Sequence, residues 1–250
     1  MSIAYGGQKV TFADGSSISS GYTGFKNRII NGAMVIDQRN AGASYTVPSG
    51  ANYTVDRWQA YASVSSKYTT QQNAGSITPP TGFNFYLGAT SSSAYSVSSS
   101  DYFMLTQKIE GYNSADLGWG TANAKTVTLS FQVYSSLTGT FGGVLSNSAF
   151  SRCYPFTYTI SSANTWEQKS ITVPGDTTGT WLTNTSAGIV LRLSLGMGST
   201  YSGTSNTWAA ADYYASTSET TKLISTLGAT FYLTGVQLER GSIATSFEYR

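Results

Sequence analysis

Apolar residues recur at every second position through much of the chain. Val127, Leu129, Phe131 and Val133 alternate with Thr128, Ser130 and Gln132, and Ile189, Leu191, Leu193 and Leu195 form a second, cleaner run. This is the pattern of half-buried strands. Trp58, Ala60, Ala62 and Val64 alternate with Gln59, Tyr61 and Ser63, while Phe103, Leu105 and Ile109 follow a serine-rich loop. Phe156, Tyr158 and Ile160 predict another strand, Ile171 and Val173 a short one, and Phe83, Phe85 and Leu87 one more after the Pro79-Pro80 break. No window of similar length carries a helical period. Many short strands separated by Gly, Ser, Asn and Pro predict an all-β sandwich or barrel.

The last twenty or so residues, Thr230 to Arg250, organise the rest. Phe231 and Leu233 alternate with Tyr232 and Thr234, but past Gly235 the apolar positions become Val236 and Leu238. A phase slip of one residue at a glycine marks a bulge that bends a strand. So apolar a strand at the end of this sequence needs a sheet with a slot already open for it. An early segment is the natural one to line that slot, which brings the two ends of the domain together as a β-sandwich does.

Composition narrows the function classes. Only 10% of the 250 residues are charged, against roughly a quarter in average soluble domains, so solubility rests on Ser, Thr, Asn, Tyr and Gly. A net charge of +2 from fourteen basic and twelve acidic residues forms no positive block. A nucleic-acid footprint and membrane insertion are therefore not expected, and no apolar run is long enough to cross a bilayer. The first residues lack the basic and then apolar pattern of a signal segment. Histidine is absent and Cys153 is the sole cysteine. That removes Ser-His and Cys-His nucleophiles, the commonest zinc ligands and any intrachain disulfide. Cys153 reads as a small buried apolar residue.

Residues 1–26 are rich in Gly and Ser, with one apolar pulse at Val10-Thr11-Phe12 and a turn signal at Asp14-Gly15. They read as an arm or small hairpin that docks on a partner or neighbouring subunit, with a flexible tail as the other reading. Residues 27–250 form the sandwich.

Several motifs carry a family resemblance. They are Asn27-Arg28-Ile29-Ile30-Asn31-Gly32, Asp37-Gln38-Arg39-Asn40, Asp56-Arg57-Trp58, Gln107-Lys108-Ile109-Glu110, the LSFQV strand from Leu129 to Val133, and the closing TGVQLERG and SFEYR. In this order they resemble a family of phage tail-fibre and virion-surface domains that is similar in shape to jelly-roll carbohydrate-binding modules. The opening VTFADGSS, Val10 to Ser17, resembles an element found in fibre proteins ahead of a distal domain. The resemblance implies a jelly-roll-like antiparallel β-sandwich with a short N-terminal arm, on the virion at the tail or capsid surface. It further implies a homotrimer, attached to other virion proteins through the arm. Calcium is common in the jelly rolls resembled; no dense acidic loop of the EF-hand kind is present, so a structural calcium stays open and unassigned. No repeat, heptad or collagen period forms a shaft. The chain is then a whole short fibre, a tip, or a knob attached to something else.

The motif residues read mainly as scaffold. Asp56 with Arg57, beside Trp58, and Asp37 with Arg39 are expected to form charge-assisted pairs that fix corners. Trp166 and Trp181, each just ahead of a strand, are expected to plug the sandwich rim.

Of enzymatic chemistries, only a carboxylate pair for glycoside hydrolysis keeps its residues. Asp101, Asp116, Asp176, Asp212 and Glu219 fall in loops, whereas Asp56, Glu110 and Glu239 fall in the motifs. No catalytic residue is assigned, and an enzyme is not expected. Aromatic residues are the richer signal, at 14% of the chain with eighteen tyrosines. A flat ring flanked by Asn, Gln, Ser and Asp suits the apolar CH face of a sugar. Trp119, in Leu117-Gly118-Trp119-Gly120, and Tyr201, Trp208, Tyr213 and Tyr214 of one loop stand where alternation is lost, and are the glycan-binding candidates. Rim packing or a subunit contact competes at each ring. The expected function is a short tail fibre or receptor-binding tip that recognises host cell-surface glycan. The alternative is a structural virion component, a capsid decoration or cement protein or a tail connector, without glycan binding. A capsular glycan hydrolase is a third.

Overall fold

The computed structural model describes Val10–Thr11, Ser17–Ile18 and residues 25–250. The strands β1 (Val10–Thr11) and β2 (Ser17–Ile18) pair antiparallel with Val10 opposite Ile18. The rest of the expected 1–24 part of the arm, including Phe12 and the Asp14-Gly15 turn, lies outside the described residues. The chain continues through β3 (Tyr45–Thr46), β4 (Gly50–Tyr53), β5 (Trp58–Ala62), β6 (Tyr68–Gln72), β7 (Leu87–Ser91) and β8 (Tyr102–Glu110). Then follow β9 (Val127–Ser135), β10 (Gly139–Asn147), β11 (Cys153–Ile160), β12 (Glu167–Val173) and β13 (Ala187–Met197). The short β14 (Ser202–Gly203) and β15 (Ala215–Ser216) precede the last strand, β16 (Thr230–Arg240).

Two six-stranded sheets result. The front sheet runs β11-β10-β13-β8-β5-β4 and the back sheet β12-β9-β16-β7-β6-β3, with neighbouring strands antiparallel in both. The inward positions of both sheets interlock in one core, where Trp58, Phe103, Phe131, Phe141, Phe156 and Phe231 are fully buried. This is a jelly-roll-like antiparallel β-sandwich. The alternation read from the sequence decides which residues enter that core, because a strand shows its side chains to opposite faces in turn.

β16 lies in the middle of the back sheet and its bulge falls where the phase slips. Phe231 to Thr234 face β9 in one register, Gln237 to Arg240 in another, and Gly235 between them takes φ 60°. A side chain there would meet the Phe83 ring at 2.6 Å. The slot has two linings on its other edge. β7 pairs with Thr230 to Leu233, and past the bulge the early segment takes over: Arg28 N–H donates to the Leu238 carbonyl at 2.8 Å and Val236 N–H to the Gly32 carbonyl at 3.0 Å.

The motif residues converge on this join. Leu238 N–H donates to Asn27 Oδ1, Asn27 N–H to Glu248 Oε2, and Asn31 N–H to the Arg250 carbonyl. Gln107 exchanges two hydrogen bonds with the Ile30 backbone, and Trp58 Nε1–H donates to the Asn31 carbonyl at 3.2 Å. Gln237 Nε2–H donates to Glu239 Oε1, which also accepts from Thr245 N–H. Buried polar groups must be satisfied, and here each motif supplies the partner another lacks.

Three expectations change. Asp56 and Arg57 do not pair: Asp56 Oδ2 caps Gln38 N–H, whereas Arg57 is bound to Glu110 of β8. Asp37 caps Asn40 N–H and Gly42 N–H, and Arg39 lies over the Tyr53 ring at 4.6 Å, so those two do not pair either. Adjacent residues in a turn point away from each other and find partners across it. Phe83 and Phe85 precede β7 instead of belonging to it, since Phe83 is taken up by the bulge at Gly235 and by Phe247, 5.0 Å away. β10 escaped the period-2 pattern because Gly142 and Gly143 interrupt it. A Cβ on Gly143 would come within 2.6 Å of the Phe156 ring and of the Arg192 carbonyl.

Candidate functional site

Outward positions of the front sheet make the candidate surface. With Trp58, Ala60 and Ala62 inside, Gln59 and Tyr61 of β5 face out, and opposite them stand Thr106 and Met104 of β8. Val190, Arg192 and Ser194 of β13 continue the row, and Tyr53 of β4 ends it at the other edge. The β10 and β11 side is roofed by the 198–222 loop. That loop is pinned there by a two-way bridge between Ala209 and Cys153, by Asn206 N–H donating to the Pro155 carbonyl at 2.7 Å, and by β14 and β15 pairing in parallel. Cys153 is buried beneath it, and desolvation pushes its thiol up.

Two adjoining clefts lie between the roof and the far edge. The larger, about 360 Å³, is lined by Arg39, Tyr53, Arg57, Gln59, Lys108 and Glu110 among others. The smaller, about 90 Å³, is lined by Tyr61, Tyr102, Met104, Phe150, Arg192 and Tyr214 among others, and Lys108 borders both. Behind this lining the Tyr201 ring stacks on Tyr214 at 4.6 Å and 3°, and Tyr102 meets both edge-on. Arg192 is 4% exposed, with its guanidinium carbon 4.2 Å from the Phe150 ring centre and 4.5 Å from that of Tyr214. Burial lowers its affinity for the proton, and the charge of Asp212 partly restores it. Asp212 itself accepts a hydrogen bond from the Tyr214 hydroxyl at 3.0 Å, and burial pushes both groups up.

The sequence candidates divide. Tyr214 is brought to the groove wall, with Tyr201 stacked behind it; Tyr213 is flattened on Gly203, where a Cβ would meet its ring at 2.1 Å. Trp119 is 7% exposed and lies inside the core, which is a correction to its place as an open platform. Its ring meets those of Trp181 and Trp208 edge-to-face at 4.7 and 5.4 Å, and each indole N–H is satisfied by a backbone carbonyl, of Lys125, Thr178 and Pro174 respectively. Trp208 is half-buried in the same plug, where these rings close the rim, the competing reading at Trp208 and the role expected of Trp181. Trp166 stands elsewhere, on the outer face of the back sheet with Tyr86, Tyr134 and Tyr232.

The acids of the loops are mostly tied up. Asp176 holds Arg152 in a two-point ion pair at 2.7 Å each, Asp116 binds Arg28, and Asp101 caps Ser98 N–H and accepts from Ser63 and Tyr95. Glu219 accepts from Ser194 Oγ at 2.9 Å but its Oε2 is buried without a partner, and burial pushes it up to about 8. Among the described residues no group of three or more His, Cys, Asp or Glu could hold a metal ion.

Sequence reasoning missed Tyr53, Tyr61, Lys108, Phe150 and Arg192. Arg192 did leave a signal, a lone charge amid the apolar residues of Ile189-Val190-Leu191-Arg192-Leu193.

No known protein family matches the chain, and no curated protein does. Among solved structures it is similar to the enzymatically active domain of bacteriophage CBA120 tailspike protein 4, with 9% identity and a TM-score of 0.48 over 86% of this chain. The chain spans only 21% of that tailspike structure. It is also similar to TmCBM61, solved in complex with β-1,4-galactotriose, with 10% identity and a TM-score of 0.41 over 87% of this chain and 100% of that one. A family 11 carbohydrate-binding module of a Clostridium thermocellum cellulosomal cellulase gives 12% identity and a TM-score of 0.40 over 79% of this chain and 99% of that one.

Proposed function

We propose that the protein is a virion-surface component, a short tail fibre or receptor-binding tip, that attaches to glycan on the host cell through the outer face of its front sheet. The observation that carries this reading is the groove. Tyr53 and Tyr61 offer ring faces, and Gln59, Thr106, Lys108 and Arg57 stand among them as hydrogen-bonding groups. Sugars need this mixture, since their CH faces stack on rings while their hydroxyls seek polar partners. The motif resemblance supports the virion location, a homotrimer and attachment to other virion proteins through the 1–26 arm. Binding is reversible and without bond cleavage; several copies acting together turn weak single contacts into firm adsorption.

The test is labelled protein mixed separately with host cells, with periodate-oxidised cells and with particles lacking it. Saturable binding to cells that periodate abolishes and Tyr61→Ala weakens is the expected result. Binding to particles alone overturns the reading and makes the protein a structural component.

A further inference from the structure

The small cleft poses a question the larger one does not. A guanidinium 4% exposed carries a full charge out of water, which is costly unless partners compensate it. Among the described residues no carboxylate lies within ion-pairing distance of Arg192. Nη1 donates to Ser146 Oγ at 3.0 Å, and the two rings supply cation–π contact. Among the described residues Nε and Nη2 meet no acceptor, and neither is sealed from solvent as the buried Nε of Arg57 is. The donors of Arg192 therefore remain unspent at a cleft it lines. The titratable groups that face it are Asp212, Tyr214, Tyr61 and Cys153, and burial keeps the two phenols and the thiol neutral. Asp212, the one acid of that set, is engaged by the Tyr214 hydroxyl.

Size and charge specify what fits. About 90 Å³ holds roughly three waters' share of liquid volume, which suits an exocyclic group and not a sugar ring. The ring has room in the adjoining 360 Å³ cleft. Lys108, exposed, without an ion pair among the described residues and bordering both clefts, adds a second positive charge at the junction. A planar guanidinium fork matches a carboxylate in two-point geometry.

Resting on the glycan reading above, we propose that the groove selects acidic sugar: the ring of a uronic acid or similar residue lies in the larger cleft against Tyr53 and Gln59, and its carboxylate passes Tyr61 into the small cleft to pair with Arg192. Arg192 is then the specificity-determining residue, and Lys108 supports it by charge.

The experiment is an array of bacterial surface oligosaccharides on which each uronic-acid glycan stands beside its carboxyl-reduced twin and a phosphorylated analogue, followed by calorimetry of the best binder. The carboxylate form should bind about tenfold or more tighter than the reduced twin. Arg192→Gln should erase that advantage while both twins still bind, and Arg192→Lys should keep only part of it. Thermal melts verify that the variants fold; the comparison of twins on the unaltered protein needs no variant. Equal binding of the twins overturns acid selection and leaves the glycan groove standing. A preference that survives Arg192→Gln overturns the assignment to this residue, and a preference for phosphate overturns the choice of carboxylate. Failure of every glycan to bind the folded protein overturns both readings.

Discussion

Two aromatic clusters flank the 198–222 loop, and they differ in what their polar atoms do. In the plug of Trp119, Trp181 and Trp208 every indole N–H already donates to a backbone carbonyl. In the cluster of Tyr102, Tyr201, Tyr214 and Phe150, the arginine against Phe150 and Tyr214 keeps donors that none of the described residues accepts. Both clusters are rich in rings and both arise where strand alternation stops. The first is finished by its own backbone; the second leaves donors open at a cleft. Aromatic density alone therefore does not single out a surface, whereas an unspent donor among the rings distinguishes one cluster from the other.

The comparison breaks first at the plug. Trp119→Ala should cost about 3–5 kcal/mol and lower the melting temperature by roughly 10 °C, with glycan affinity of the folded protein unchanged. An equal loss of affinity in calorimetry would erase the distinction between the clusters. Asp176→Ala comes next, because it strands the Arg152 guanidinium that lies 6.0 Å from the Trp208 ring. Removing one partner of such a pair costs about 3 kcal/mol. The Arg152 hydrogen bonds and charge hold the Asp176 carboxyl below the usual range against the opposing effect of burial. Its contribution is thus present above the ordinary carboxylate range and is lost as pH falls through the lowered value, so melts of variant and unaltered protein should converge in acid.

A smaller effect sharpens the other side. Tyr61→Ala should weaken glycan binding by about tenfold, the worth of one stacked ring, while the melting temperature moves by only a few degrees. Last is a pH effect at the loop's far end. Burial raises Glu219 from 4.5 to about 8 in the fold, so between those values the folded state holds a proton the unfolded state has lost. Stability falls as pH rises through this window. Glu219→Gln should flatten that slope, read as melting temperature from pH 5 to pH 8.

The sequence by itself determined the strands, the bulge and the narrowness of the chemistry. Period-2 alternation follows from backbone geometry, so β5, β8, β9, β11, β12, β13 and β16 are legible from their own residues, as is the slip at Gly235. The absence of histidine and the single Cys153 settle by residue type which nucleophiles cannot exist. Tertiary structure decided everything that depends on what covers a face. Tyr61 and Trp119 are both large rings in a polar context, yet one faces a groove and the other is enclosed, because the 198–222 loop roofs β10 and β11 and stops short of β5. Arg192 is a charge in an apolar run, which a sequence can flag. Only packing shows that Ser146 and two rings touch it and that, among the described residues, no carboxylate comes within ion-pairing distance.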